Sequence, residues 1–96
     1  MSLDELASKY VNSAEEVLTK VTISGNPPSV NVESVKKVVD CAKDYLEDAR
    51  YYMEKKKFEV SLTSVAYCEG LLDALRMLGA VGFEWPKKAR KKRSAK

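Results

Sequence analysis

Apolar residues along this chain recur at helical spacing in three stretches, separated by breaks of quite different character. In the first, Leu3, Leu6, Ala7, Tyr10, Ala14, Val17, Leu18 and Val21 return mainly at steps of three and four. That pattern predicts an amphipathic helix of about 20 residues. Ser2, with Glu5 three residues later, fits a capping box that opens it. The β-branched run Val21-Thr22-Ile23 and the following Ser24-Gly25-Asn26-Pro27-Pro28 end it. Two adjacent prolines make this connection extended and stiff.

The second stretch begins after Asn31, a predicted helix cap, with Glu33 placed to favour the positive helix end. Val35, Val38, Val39, Ala42, Tyr45, Leu46, Ala49, Tyr52 and Met53 form its stripe, which ends near Glu54. At 1.5 Å per residue this helix is about 35 Å long. The turn Lys55-Lys56-Lys57 is short, so the third helix is expected to run back antiparallel to the second.

The third helix is predicted from Phe58 to Leu78, with Gly79 as the residue just past its end. Leu62, Val65, Ala66, Leu72 and Leu75 share one broad face, while Tyr67, Cys68, Leu71 and Leu78 point elsewhere. From Val65 to Gly79 the run is apolar on nearly every side, which predicts the central helix of the fold. Gly70 in mid-helix costs about 1 kcal/mol relative to alanine. Among the small residues Ser61, Ser64, Ala66, Cys68 and Ala74, it suggests a close approach of another backbone. The fold predicted is all-α: an antiparallel three-helix bundle over residues 1–79, followed by a connector and basic C-terminal extension over residues 80–96. Two helices cannot cover every apolar side of the third, so self-association as a homo-oligomer is expected.

Composition narrows the chemistry. Hydrophobic residues make up 45% and charged residues 32% of the 96, a balance that belongs to a folded domain. No apolar run approaches the roughly 18–20 residues that span a bilayer, so no membrane partner is expected. The N-terminal MSLDELASKY has acidic residues where a signal peptide needs a basic start and an apolar core. A cytoplasmic location is the expectation. There is no histidine, which removes the usual general base and the commonest metal ligand. Cys41 and Cys68 match no zinc spacing. Both are expected to be small buried hydrophobes, with a bridge between helices as the alternative. No catalytic residue, metal or cofactor is expected.

Charge is unevenly divided. Lys87, Lys88, Arg90, Lys91, Lys92, Arg93 and Lys96 put seven of the 17 basic residues in the last ten positions, whereas all 14 acidic residues lie between Asp4 and Glu84. The basic character therefore belongs to the extension. Such a cluster attracts polyanions by counterion release, and Trp85 and Phe83 upstream would add base stacking. A solubilising end, or a contact with the acidic body, is the alternative.

Ala49-Arg50-Tyr51-Tyr52, the short turn before Phe58, and the run from Ala66 through Glu69-Gly70-Leu71-Leu72-Asp73-Ala74-Leu75-Arg76 to Leu78-Gly79 resemble an archaeal family, domain of unknown function 357. The resemblance covers Asp44 to Gly79 well and the first helix by pattern alone. In the turn, where that family usually has glycine, this chain has Lys56 or Lys57. The resemblance implies a small helical domain with no assigned reaction. Similar domains can follow a nucleotidyltransferase-like domain, which implies an accessory role beside a nucleotide-handling enzyme. The helix pair is also loosely similar to nucleotide-binding bundles whose ribonuclease members use an Arg…His motif, an activity that does not transfer to a chain without histidine.

Glu69, Asp73 and Arg76 fall on one helix line, either as a structural ion-pair ladder or as the wall of a site. With Gly70 they form the candidate partner or ligand groove. Asp40, Asp44, Glu47 and Asp48 on the second helix are read as a solvated face, and Tyr45, Tyr51, Tyr52 and Tyr67 as packing at helix contacts or a stacking platform. The reading is a non-catalytic interaction module that binds a protein partner through its third helix. The alternatives are an RNA-binding accessory protein acting through the basic tail (Trp85 with Lys87 to Lys96), or a nucleotide-binding partner of a nucleotidyltransferase.

Overall fold

The computed structural model describes residues 2–26 and 30–86. Within them lie α1 (Leu3–Lys20), α2 (Val32–Glu54) and α3 (Phe58–Met77), with no strand among the described residues. The chain is all-α, as its periodicity predicts.

Local chemistry sets the helix ends. The Glu5 amide donates to Ser2 Oγ at 3.2 Å and the Ser2 amide to Glu5 Oε1 at 2.9 Å, closing the capping box of α1. Asn31 caps α2, its Oδ1 accepting from the Ser34 amide at 2.8 Å. Helix α2 ends in a Schellman motif: the Lys57 amide donates to the Tyr52 carbonyl at 2.8 Å and the Lys56 amide to that of Met53 at 3.0 Å. Lys56 therefore takes the left-handed conformation, with φ of 62°. Helix α3 ends the same way, with Gly79 at φ 79° and the Ala80 amide donating to the Leu75 carbonyl at 2.9 Å.

Helices α2 and α3 pack together around a seam of small residues. Ala42 and Ala49, one heptad apart on α2, are buried against Cys68 and Leu75, one heptad apart on α3. One heptad earlier, the Ser61 hydroxyl donates to the Ala49 carbonyl at 2.7 Å across the pair. Alanine and serine at these positions let the two backbones come close enough for that bond.

Contacts between helices are confined to this pair among the described residues, and every residue of α1 is exposed. Helix α3 is thus one half of a hairpin rather than a helix enclosed by two others. Its facing also departs from expectation. Cys68 lies in the seam, whereas Leu62 is 67% exposed and Ala66 is exposed. A helix apolar on all sides has the right period but carries no phase information. Nor does Gly70 mark a close approach: it is exposed, and an added Cβ would meet nothing within 4 Å. Cys41, expected to be buried, is exposed, and both cysteines are free.

Candidate functional site

Two flanks run along the α2/α3 pair, and they differ in what lies on them. On one flank the connector after α3 folds back. The indole Nε1 of Trp85 donates to Asp73 Oδ1 at 2.8 Å, and Arg76 Nη2 reaches the same oxygen at 3.4 Å. The Arg76 guanidinium sits 4.9 Å from the centre of the Phe83 ring, and Phe83 meets Trp85 edge-to-face with centroids 4.9 Å apart. Asp73, Arg76, Phe83 and Trp85 therefore form a clasp that holds the connector against α3.

Asp73 and Arg76 are brought together as a half-exposed ion pair whose carboxylate also holds Trp85. Glu69 is half-buried one turn earlier. Gly70 lies on the outer side of α3. Trp85 faces Asp73 and Phe83, the contacts that hold it against the domain. Lys87, Lys88, Arg90, Lys91, Lys92, Arg93 and Lys96 lie outside the described residues. Asp40, Asp44, Glu47 and Asp48 are all exposed, in keeping with a solvated face. No cluster of three or more metal-ligating side chains occurs among the described residues.

The other flank is open and apolar. Val60, Tyr67, Leu71 and Leu78 succeed one another at steps of seven, four and seven, which places them on one line of α3. Val60 is 43%, Tyr67 53% and Leu78 73% exposed. Helix α2 contributes Tyr45, whose ring stacks on that of Tyr67 with centroids 4.3 Å apart and planes 11° from parallel. Proximity to the Tyr67 phenol, with burial second, raises the Tyr45 pKa above the ordinary phenol value. Tyr45 therefore stays neutral at physiological pH, and the stacked pair presents an aromatic step in the middle of the flank. Val38, Cys41 and Tyr52 lie on the same side of α2, seven and four residues before Tyr45 and seven after it. Where α2 begins and α3 ends, Val32, Val35, Leu78 and Ala80 line a depression of about 420 Å³.

The thiols divide by the same geometry. Burial, and then the charge of Glu69, raises the Cys68 pKa, which keeps this thiol protonated and unreactive in the seam. Sequence reasoning placed Tyr67, Leu71 and Leu78 away from the main face but did not single out Val60. The signal that finds it is the heptad spacing of Val60 to Tyr67 and of Leu71 to Leu78.

An all-helical chain built on an antiparallel α2/α3 pair, with a clasped connector and one open apolar flank, defines the class. Within that class, the sequence profile of the proteins of unknown function DUF357 matches residues 9–81, and the chain belongs to that family. The match takes in the last two thirds of α1, both packed helices and the glycine that ends α3, and stops short of Phe83 and Trp85. No curated protein and no solved structure matches the chain. No helix among the described residues is long and apolar enough to cross a membrane.

Proposed function

We propose that this protein is a non-catalytic helical docking module, and that the open flank of α2 and α3 seats an amphipathic segment of a protein partner. One observation carries this reading. The two flanks of the same helix pair are treated differently: Phe83 and Trp85 lie against one, while Tyr67 and Leu78 on the other are 53% and 73% exposed. Large side chains at heptad spacing, with an aromatic pair at the centre, are what a helix-in-groove contact requires. The clasp lies on the other flank, and this one offers apolar anchors together with the Tyr45 and Tyr67 phenols and the Cys41 thiol.

Photo-crosslinking tests the reading. A photoreactive phenylalanine analogue at Leu78, on the open flank, is expected to give a discrete protein adduct in cells that express the chain. The same analogue at Lys43, exposed on α2, is expected to give none. Equal labelling from both positions, or no adduct from Leu78, would overturn it.

A further inference from the structure

The chain leaves two complementary apolar surfaces uncovered at once, and we propose that they cover each other between two copies. Helix α1 of each copy lies along the Val60–Tyr67–Leu71–Leu78 line of the other, antiparallel to that copy's α2. This rests on the docking reading above and names the occupant: a second copy of this chain.

Helix α1 has the form such a seat demands. It is capped at its start by its own residues, and Leu3, Leu6, Tyr10 and Val17 make one stripe, with exposures of 65%, 36%, 63% and 59%. A stripe of that size facing water on an isolated helix is unfavourable, because such helices are held mainly by tertiary packing.

Area gives the same answer. The chain exposes 8511 Å², whereas a compact monomer of its mass exposes about 5,500 Å². Counting the ten residues after Pro86 at their full unfolded surface would account for about 1,700 Å² of that difference. About 1,300 Å² per chain is left over, more than the roughly 800 Å² per partner that a stable interface buries.

Charge sets the direction. With α1 antiparallel to α2, Asp4 and Glu5 at its start come beside the Lys55-Lys56-Lys57 turn, and Lys20 at its end approaches Glu33 at the start of α2. Both ends then carry opposite charges.

The connector favours a second copy over closure on the same one. Val21, Ile23 and Val30, on the described parts of the linking segment, are 62%, 94% and 53% exposed. Pro27-Pro28 in its sequence biases that segment to an extended path. Reciprocal exchange about a two-fold axis satisfies both surfaces and closes the assembly at two chains.

The test uses the full chain carrying the photoreactive analogue at Leu78, mixed in equal parts from 14N and 15N cultures and examined together with sedimentation equilibrium. The expected result is twice the mass of the 10.8 kDa chain, with crosslinked peptides that join residues 78 and α1 in mixed isotope pairs. The double variant L6D/V17D on α1 and the single variant Y67E on the flank, all at exposed positions, should each weaken dimerisation at least tenfold. Mixed together they should form heterodimers again, since one intact α1 meets one intact flank. A monomer with only same-isotope pairs to α1 means closure within one chain and overturns the exchange. A monomer whose Leu78 adduct is a different protein overturns it while the docking reading stands. No Leu78 adduct of any kind removes both.

Discussion

Asp73 is the centre of the polar line on an otherwise apolar helix. One carboxylate oxygen takes the Trp85 indole N–H at 2.8 Å and Arg76 at 3.4 Å, and Arg76 in turn lies over Phe83. A hydrogen bond from an indole to a charged acceptor is among the stronger ones, worth about 1.5–3 kcal/mol. Asp73→Ala is therefore expected to lower stability by about 1–2 kcal/mol and to shift the emission of Trp85, the single tryptophan, to the red. Urea denaturation followed by tryptophan fluorescence measures both, and unchanged emission would show that Asp73 does not hold the indole. Lys56 is the second residue whose role is local. At φ 62° its side chain strains the backbone in a way glycine avoids. Lys56→Gly should raise stability by about 1 kcal/mol in the same assay, and a loss would contradict the cap.

Among the three helices, the ends were far more legible than the faces. Ser2 with Glu5, Asn31 and Gly79 act on amides a few residues away, so their meaning is complete in the local sequence. Which side of α3 packs is not local. Leu62 and Cys68 exchange the places their pattern suggested, because every side of α3 is apolar and Ala42 and Ala49 choose the seam from the partner helix. The clasp was hidden for a related reason: Trp85 lies 12 residues beyond Asp73, past the end of the helix. The capping box also makes α1 sensitive to acid. The Ser2 hydroxyl and then the Glu5 amide lower the Asp4 pKa, and the Ser2 amide and then its hydroxyl lower that of Glu5. Groups depressed on folding contribute helix stability that is present above their ordinary pKa values and lost as pH falls through the lowered ones. Carbonyl chemical shifts of residues 3–8 should therefore stay helical at neutral pH and move toward coil only in acid, below the ordinary carboxylate range. In Ser2→Ala the coil-ward shift should already be visible at neutral pH. A first turn that titrates identically in both proteins would refute the cap's role.

At the scale of the whole molecule, the chain is a helix pair with a closed flank, an open flank and a third helix that packs on neither. The three-helix content was legible because each helix announces its own period. The arrangement was not, since the partner of an amphipathic stripe is fixed by what else in solution can cover it. The proposed docking requires the open flank to be wet when the chain is alone and dry when it is associated. Methyl NMR of the full chain with a soluble paramagnetic probe reads this directly, comparing Val60, Leu71 and Leu78 with Leu75 in the seam. At low protein concentration the Val60 and Leu78 methyls should be strongly broadened while Leu75, 6% exposed, is spared; on concentration Val60, Leu71 and Leu78 should become protected together. Flank methyls as sheltered as Leu75 at every dilution would contradict a docking face on this side of α3, and flank methyls equally broadened at every concentration would contradict its cover by a second copy.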